Sequence, residues 1–386
     1  MSAGLRRAAG RLGELTELSL DVLPAMRDAE SGLFSHKTLC RDGAYVNQGA
    51  NVLYTTVSLV GILSQTRRPA DSVLELGAAM DAAHDAVARR DVPGELANMV
   101  WACALAGDGR GEALLARLAE AEPRLCPSGE LGQVLYGLVA GAGAYPAGND
   151  AAMTAAAACA EELLHRFNPK AGVFRASPRR MPPRRELLEA RFAHFAAQVY
   201  PLHGLGAHSF ATGEEPPAAV RGVAERIVEA QGPLGQWWWL YSCRARVVIE
   251  GYPVYSVHQD GMAFLGLTRL HELGVGDFGE ALARGLEWID GANELGAELV
   301  DGEPPLVCRC IQRAGSDADL PYGISRAGFG RAVARSLVPR AGGDRTAAEP
   351  GRLEVLRECR SYHLGWLLYA DSLVQAATAE RAVDDG

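Results

Sequence analysis

Three ionisable side chains in one aromatic segment have the residue types and the spacing for acid–base chemistry. Glu250, His258 and Asp260 lie within residues 237–260. Cleavage of a glycosidic bond needs two carboxyl groups on opposite sides of the bond, about 5 Å apart for retention of configuration and up to ~9.5 Å for inversion. A histidine can transfer a proton near neutral pH or orient a neighbouring carboxylate. The pattern therefore predicts these three residues as catalytic. A role as a helix N-cap stays open for Asp260, which precedes an apolar run.

Tryptophan and tyrosine side chains are concentrated around these groups, in a chain that is only 7% aromatic. Three consecutive tryptophans cannot all face the core, because neighbouring residues on one element point in different directions. Aromatic faces stack on the apolar face of a sugar, and their negative quadrupole can stabilise a carbocation. The segment therefore predicts a substrate-binding surface, with a simple aromatic cap on the core as the alternative. The predicted binding residues here are Trp237, Trp238, Trp239, Tyr241, Tyr252, Tyr255 and Gln259.

Four residues elsewhere in the chain are predicted to share this pocket. Asp28 and His36 lie on either side of a glycine–aromatic turn that resembles the turn before the aromatic segment. His194 and Tyr200 are predicted to lie on one helix and its C-terminal turn, together with Arg191, Gln198 and His203. Side chains three or four positions apart on a helix are neighbours, which favours a common inward face for these polar groups. A hydrogen-bonded histidine in the core is the alternative for this helix.

A metal site is a weaker prediction. Cys308, Cys310, Cys359 and His363 have residue types that suit zinc, and the last two fit one helix face at i, i+4. Because Cys-x-Cys chelates less readily than Cys-x2-Cys, buried thiols are the favoured interpretation and no cofactor is expected. The sequence lacks a P-loop, a Gly-x-Ser-x-Gly elbow and a dinucleotide-binding glycine motif. Nucleotide-dependent and serine-hydrolase chemistry therefore have no support.

Composition limits the classes of partner and compartment. The chain has 386 residues, of which 48% are hydrophobic, and a formal net charge of −9. That charge argues against nucleic acid as a partner, since phosphate binding needs concentrated Lys and Arg. There is no run of 18 apolar residues, so no transmembrane helix is predicted. Eight cysteines without a framework of short spacings are typical of a reducing cytoplasm. We therefore expect a cytoplasmic protein that binds a small molecule or an oligosaccharide, with a homodimer as an open alternative.

Long stretches with apolar residues at i, i+3, i+4 and i+7 predict the helices that must position these side chains. Each stretch is bounded by Gly, Pro, Asp or Asn, as helix ends require. Alternating strand-like runs are scarce, and residues 243–249 are the best candidate for a strand. Examples of the predicted helices are residues 73–89, 96–106, 151–167, 185–199, 218–230, 261–273, 278–289 and 362–376.

A related turn recurs between these helices. Residues 28–34, 168–174 and 231–237 each place a glycine two positions before an aromatic ring. The last two turns are 63 residues apart, and two helices of ~12–15 residues with two loops require roughly 60 residues. Six such units use the whole chain. The sequence therefore predicts an all-α fold, an (α/α)6 toroid of helical hairpins. It forms one domain over residues 1–386 with frayed ends at 1–20 and 377–386, and two separate helical domains are the alternative.

The element Gln231-x3-Gly235-x-Trp237 resembles the QW motif of terpenoid cyclases and of protein prenyltransferase β-subunits. The glycine–aromatic turns between helix pairs are similar to those of six-hairpin glycosidases, epimerases and unsaturated-uronyl hydrolases. Residues 250–263 resemble a signature of uncharacterised bacterial toroid proteins. Because these groups share the α/α-toroid architecture, the resemblance implies this fold across the chain.

Two enzyme functions follow from the resemblance as expectations. A carbohydrate-active enzyme, of the hydrolase, lyase or epimerase type, would stack a sugar on the aromatic rings while Glu250, His258 and Asp260 transfer protons. A terpenoid-cyclase-like enzyme would stabilise a cation with the same rings and protonate an isoprenoid with Asp260. The aspartate motifs of cyclases are absent, since Asp317-Ala-Asp319-Leu320 lacks the final acid of Asp-x-Asp-Asp. This favours the carbohydrate-active enzyme, and a non-catalytic binding scaffold is the third alternative.

Overall fold

Helices dominate the computed structural model, which describes residues 2–66, 75–178, 191–316, 330 and 352–384. These segments contain twelve α-helices. They are α1 (Ala3–Val22), α2 (Val52–Ser64), α3 (Leu76–Ala88), α4 (Pro93–Ala106), α5 (Gly111–Leu118), α6 (Ser128–Ala144), α7 (Asn149–Arg166), α8 (Ala196–Thr212), α9 (Ala218–Glu229), α10 (Ala263–Glu272), α11 (Gly279–Ile289) and α12 (Ser361–Asp384).

Local signals set several of the helix ends. The Ser2 side chain caps α1 by accepting a hydrogen bond from the Leu5 amide, and the Asn51 side chain caps α2 in the same way. Pro93 occupies the first turn of α4, where its missing amide hydrogen costs nothing, and Gly107 ends that helix with a φ of 67°. Pro93 and Gly107 are of the residue types that the sequence analysis used as helix boundaries, here for the helix predicted over 96–106.

Six of the helices form a closed inner ring. Along it, α2 packs against α4, α4 against α6, α6 against α8, α8 against α10 and α10 against α12, and α12 returns to α2. The other six lie outside the ring: α3 packs on α2, α5 on α4, α7 on α6, α9 on α8, and α1 on both α11 and α12. Outer and inner helices alternate along the chain. The all-α (α/α)6 toroid predicted from the repeat is therefore confirmed.

Glycines bring the inner helices close together. A Cβ on Gly61 of α2 would lie 2.1 Å from the carbonyl oxygen of Gly365 in α12. On α6, a Cβ on Gly132 would lie 2.4 Å from the Tyr200 carbonyl carbon of α8, and one on Gly137 would lie 2.7 Å from the Ala97 oxygen of α4. Such separations are too short for any side chain, so glycine is required where these backbones touch.

The three turns that the sequence singled out have one conformation. Gly32, Gly172 and Gly235 have φ values of 71°, 70° and 94°, in the left-handed region that favours glycine. The aromatic ring two residues later is fully buried in each case, as Phe34, Phe174 and Trp237. The repeat found in the sequence is therefore a repeat in structure.

The same turns are tied to the element that follows. A side chain from the beginning of the next inner element accepts a hydrogen bond from the amide of the buried aromatic residue. The donor and acceptor pairs are Phe34 with Thr55 Oγ1 at 2.9 Å, Phe174 with Gln198 Oε1 at 2.8 Å, and Trp237 with Gln259 Oε1 at 3.3 Å. These hydrogen bonds hold each turn at the end of the ring where the inner helices begin.

Short strands occupy that same end. All of those in the described segments fall in connections from an outer helix to the next inner helix, in antiparallel sheets of two or three strands. We call the end of the ring where these strands lie the sheet end. The strands are β1 (Ser35–Arg41), β2 (Ala44–Ala50), β3 (Phe167–Asn168), β4 (Val173–Phe174), β5 (Phe192–His194), β6 (Leu240–Ser242), β7 (Val248–Glu250), β8 (Val254–Tyr255), β9 (Val300–Asp301), β10 (Leu306–Val307), β11 (Cys310–Arg313) and β12 (Leu353–Leu356).

Three sequence predictions need correction. Of the helix predicted over 185–199, residues 185–190 lie outside the described residues, and Phe192–His194 is a strand that pairs with Leu240–Ser242. Pairing with β6 overrides the local helical pattern there. Of the strand predicted over 243–249, residues 243–247 form the turn that joins β6 to β7, and Val248 and Ile249 belong to β7. The N-terminus is not frayed, because α1 starts at Ala3 and buries one face.

None of the described helices is apolar over a stretch long enough to cross a bilayer.

Candidate functional site

Four tyrosine side chains converge at the sheet end of the ring. The ring centroids of Tyr54 in α2 and Tyr362 in α12 are 4.5 Å apart. Tyr200 in α8 accepts a hydrogen bond from the Trp366 indole at 2.9 Å. Burial raises the pKa of Tyr200 and of Tyr255 in β8, and in both cases nearby Tyr54 and Tyr362 add to the increase. Four elements distant in sequence therefore bring their hydroxyl groups to one place.

Several of these rings keep part of their surface accessible. Tyr54, Tyr200 and Tyr362 are half-buried although they belong to the first turns of inner helices, and Trp239 is half-buried beside them. Since the outer helices cover the other side of the ring, the accessible surface faces the lumen. We call Tyr54, Tyr200, Trp239, Tyr255 and Tyr362 the aromatic mouth.

Two histidines pack on the aromatic mouth. The Trp239 ring stacks on His194 at 5.3 Å and on His258 at 5.5 Å between centroids. Tyr255 meets His258 edge-on at 5.1 Å. The structure thus brings together Trp239, Tyr255, His258, His194 and Tyr200, all of which the sequence had predicted as site residues. It places His194 on β5, however, and not on the helix that carries Tyr200.

Burial keeps both histidines neutral. It lowers the pKa of His258 to about 3, with smaller contributions from nearby His194 and His363, and lowers that of His194 to about 4. The Nδ1 atom of His194 accepts a hydrogen bond from the Ala197 amide at the start of α8. A neutral imidazole can accept a proton or a hydrogen bond, so these rings suit a base better than a cation.

Asp260 lies two residues after His258, in a π-helical turn (His258–Met262) that leads into α10. Its carboxylate oxygens are 2.8 and 2.9 Å from Nε2 of His363, and both side chains are buried. The N-cap alternative is therefore not realised, because the carboxylate points to α12. Burial raises the pKa of Asp260, while His363 opposes the increase. A buried carboxyl group held by an imidazole can store and transfer a proton.

A charged group borders the mouth beside His36. The His36 ring stacks on Tyr54 at 5.3 Å and receives a hydrogen bond from Arg360 at 2.7 Å. Glu358 accepts hydrogen bonds at 2.7 Å from both Arg360 and Arg309. Although burial acts to raise the pKa of Glu358, the two arginines lower it overall. The sequence predicted His36 here but missed the other three, whose partners come from distant segments.

Glu250 belongs to a different network. Its Oε1 atom accepts hydrogen bonds from Arg313 at 3.1 Å and from the amide of Gly251. Next to it the Tyr252 hydroxyl donates to Glu294 at 2.7 Å, and Trp238 meets Tyr252 edge-on. These contacts brace β7 and the loop after it. These contacts are separate from the hydrogen bonds between Asp260 and His363.

Comparisons with known proteins bear on the fold. No protein-family model matches the chain, and no curated protein matches its sequence. Among solved structures, a glycosyl hydrolase of family 88 from Bacteroides vulgatus has a TM-score of 0.52 and 9% identity over 96% of this chain and 98% of that one. The inactive α-1,6-mannanase GH76A of Salegentibacter sp. HEL1_6, in complex with α-1,6-mannotriose, has a TM-score of 0.50 and 11% identity over 94% of this chain and 99% of that one. A polysaccharide lyase has a TM-score of 0.50 and 11% identity over 94% of this chain and 98% of that one.

The chain has the α/α-toroid fold. At identities near 10%, these likenesses show the architecture of the toroid alone.

Other predicted binding residues have structural roles in the toroid. Gln259 accepts a hydrogen bond from the Trp237 amide and donates to the Tyr255 carbonyl oxygen at 3.1 Å. Its counterpart Gln198 accepts from the Phe174 amide and donates to the His194 carbonyl oxygen at 3.4 Å. Trp237 is fully buried, and Tyr241 is buried beneath the Arg226 guanidinium. These side chains pack the core, since the turn repeat directs them away from the lumen.

Asp28 is also a structural residue. Its carboxylate accepts hydrogen bonds from the backbone amide and the hydroxyl of Ser31, which lower its pKa. It closes the first glycine turn of the toroid and has no contact with the aromatic mouth among the described residues. Asp28 precedes the glycine turn, whereas His36 follows it and reaches the mouth.

The described part of the toroid contains no group of three or more His, Cys, Asp or Glu side chains that could hold a metal ion. Cys308, Cys310, Cys359 and His363 do not form such a group: His363 binds Asp260, and Cys359 donates to the Arg360 carbonyl oxygen. All eight cysteines are free. The acidic element at Asp317 and Asp319 lies outside the described residues.

Proposed function

We propose that this toroid is a carbohydrate-active enzyme of the hydrolase, lyase or epimerase type, whose aromatic mouth binds a saccharide. The observation that carries the proposal is the half-buried rings of Tyr54, Tyr200, Trp239 and Tyr362 beside the buried Asp260. Such rings stack on the apolar faces of sugars. Two of the similar structures are named as glycoside hydrolases and one as a polysaccharide lyase, which supports the same substrate class.

In this proposal Asp260 is the acid. Because burial favours its protonated form, it donates its proton to a substrate oxygen, and His363 stabilises the carboxylate that remains. The neutral His258, which its low pKa makes a weak base, accepts a hydrogen bond from water or from the sugar. Asp260 is fully buried, so the substrate reaches it after a neighbouring side chain moves. Glu250 remains a further candidate for the second carboxylate.

The test begins with a ligand screen on the wild-type protein. Melting temperatures are measured with α-1,6-mannotriose, other neutral oligosaccharides, uronate-containing oligosaccharides and prenyl diphosphates. We expect a saccharide to raise the melting temperature, since a ligand that binds only the folded state stabilises it. The saccharide that does so is then used as the substrate.

Turnover is compared between the wild type, Asp260→Asn and Glu250→Gln. Asp260→Asn removes the proton donor with little change in volume, so kcat is expected to fall by about 10²–10⁴-fold while the ligand still binds. Glu250→Gln distinguishes two roles of this residue. If Glu250 is the second catalytic carboxylate, the substitution lowers kcat; if it only braces β7, the substitution changes stability more than kcat. Full turnover by Asp260→Asn would contradict the assignment.

A second candidate function is an enzyme that acts on an isoprenoid. It is favoured by one observation, the complete burial of Asp260, which suits a protonating acid in an apolar site, and the aromatic mouth would stabilise a cation. A rise in melting temperature with a prenyl diphosphate and none with saccharides would select it. Saccharide binding without turnover by the wild type would instead select the non-catalytic scaffold.

We also propose that the protein works in a reducing cytoplasm. Its eight cysteines are all free, and seven of them are buried, where they pack as small apolar side chains.

A further inference from the structure

A second aromatic group lies deeper in the ring, at the middle of the inner helices. Tyr136 of α6 has its ring centroid 4.1 Å from Trp101 of α4 and 4.1 Å from His203 of α8. Tyr369 of α12 is 4.6 Å from Trp101 and 5.5 Å from His203. Four inner helices therefore direct rings to the axis of the toroid, below the aromatic mouth.

The accessible surface of Tyr136 faces the lumen. Tyr136 is half-buried in the middle of α6. One side of α6 is closed by the contact of Gly132 with α8, and the other by the contact of Gly137 with α4. On a helix of 3.6 residues per turn, position 136 lies between the directions of 132 and 137 on the inward side. Space next to its ring therefore belongs to the lumen.

His203 presents an unused acceptor beside this ring. Its Nδ1 atom is 3.1 Å from the carbonyl oxygen of Leu265, and because a carbonyl can only accept, Nδ1 carries the hydrogen. Nε2 is then a bare acceptor, and it has no hydrogen-bond partner among the residues that the structure describes. Burial, helped by the Arg269 guanidinium, lowers the pKa of His203 to about 3, so the ring stays neutral.

An acceptor in such a position is costly unless something donates to it. His203 is only 3% exposed, and a buried polar atom without a hydrogen bond destabilises the fold. A neutral acceptor selects a neutral donor such as a hydroxyl group. Because the Tyr136 ring stacks on His203 at 4.1 Å, the part of Tyr136 that stays accessible is a ring edge, and its apolar carbon atoms suit contact with the C–H groups of a sugar.

We propose that His203 and Tyr136 form a subsite in the lumen for a neutral, hydroxyl-bearing sugar unit. His203 Nε2 accepts a hydrogen bond from one hydroxyl group, and the Tyr136 ring packs against the same unit. This subsite rests on the proposed function, and it narrows the substrate class to saccharides with at least one uncharged residue. His203 is a binding residue here and was predicted only as one of several polar groups near Tyr200.

The experiment compares dissociation constants for α-1,6-mannotriose and D-mannose by titration calorimetry in the wild type, His203→Phe and His203→Gln. His203→Phe keeps the packing against Tyr136 but removes the acceptor, so about tenfold weaker binding is expected. His203→Gln restores a donor for Leu265 and an acceptor for the ligand, and it is expected to recover part of the affinity. It also keeps the test decisive if His203→Phe fails to fold.

His271→Phe is the matched control. The Nδ1 atom of His271 likewise lies near a carbonyl oxygen, that of Gly276 at 3.2 Å, and its Nε2 is buried, but the residue is at the far end of α10. Its substitution is expected to leave the dissociation constants unchanged. Unchanged affinity in both His203 variants overturns the subsite alone. Failure of these probes and of every other saccharide to bind the wild type overturns the proposed function and the subsite together.

Discussion

Asp260 shows how much one residue depends on its surroundings. From the sequence it was either a helix cap or an acid, because both roles suit an aspartate before an apolar run. In the structure it lies in a π-helical turn, and its carboxylate is bound to His363, 103 positions away. Short π-helical segments within α-helices are frequent at functional sites. His363 had been considered only as a zinc ligand, since its partner could not be read from local spacing.

The buried histidines make stability depend on pH. An unfolded histidine titrates near 6.5, whereas the pKa of His258 in the folded protein is about 3. Between these values the unfolded state binds more protons, so the free energy of unfolding falls as pH falls. From pH 6.5 to 5, His258 accounts for a loss of about 2 kcal/mol. His258→Gln should remove this contribution in urea unfolding curves measured at both pH values.

The exposed His165 provides the reference for this experiment. The His165 side chain is 58% exposed. His165→Gln therefore shows how much the pH dependence of the free energy of unfolding changes when a surface histidine is lost. If the free energy of unfolding of His258→Gln changed with pH as much as that of the wild type, His258 would bind protons equally in the folded and unfolded states.

At the scale of elements, sequence patterns located the helices better than the strands. Residues 218–230 and 278–289 were predicted as helices and form α9 and α11 almost to the residue. The turn repeat could also be recognised from the sequence, because glycine and an aromatic ring recur at fixed spacing. The strand at Phe192–His194 was not predicted, since it forms by pairing with Leu240–Ser242 across 46 or more positions of chain.

The contact between α2 and α12 is sensitive to a single methyl group. Gly61→Ala would place a Cβ 2.1 Å from the Gly365 oxygen and force two backbones apart. We expect the free energy of unfolding to fall by about 3 kcal/mol or more. Gly77→Ala, on the exposed side of α3 with no atom within 4 Å, is the control and should stabilise the protein by about 0.5–1 kcal/mol. Equal stability of Gly61→Ala and the wild type in urea would show that this contact is looser than described.

At the scale of the whole molecule, closure of the ring creates the candidate site. Tyr54 and Tyr362 come from nearly opposite ends of the chain and meet only because α12 returns to α2. The same closure sets His363 against Asp260. The aromatic mouth therefore exists only in the complete ring.

Removal of α12 tests this dependence. A chain that stops before Ser361 loses Trp366 and the hydrogen bond from Gln65 to the Leu368 oxygen, and leaves the inner faces of α2 and α10 exposed. We expect loss of cooperative urea unfolding monitored by circular dichroism. A chain that stops after Thr378 keeps these contacts and is expected to unfold as the full chain does. A cooperative transition in the shorter chain would show that five hairpins are sufficient for the fold.

The sequence by itself determined the helices, the recurring glycine–aromatic turn and the concentration of aromatic residues near Asp260. These features depend on spacings of a few residues or on a regular repeat, and local conformation follows from them. The tertiary structure decided which side chains share the lumen: it brought Tyr54, Tyr362 and His363 to the predicted segment, placed Gln259 and Asp28 in hydrogen bonds that brace turns, and put Glu250 in a network with Arg313. Those outcomes depend on packing between helices far apart in the chain, which local periodicity does not encode.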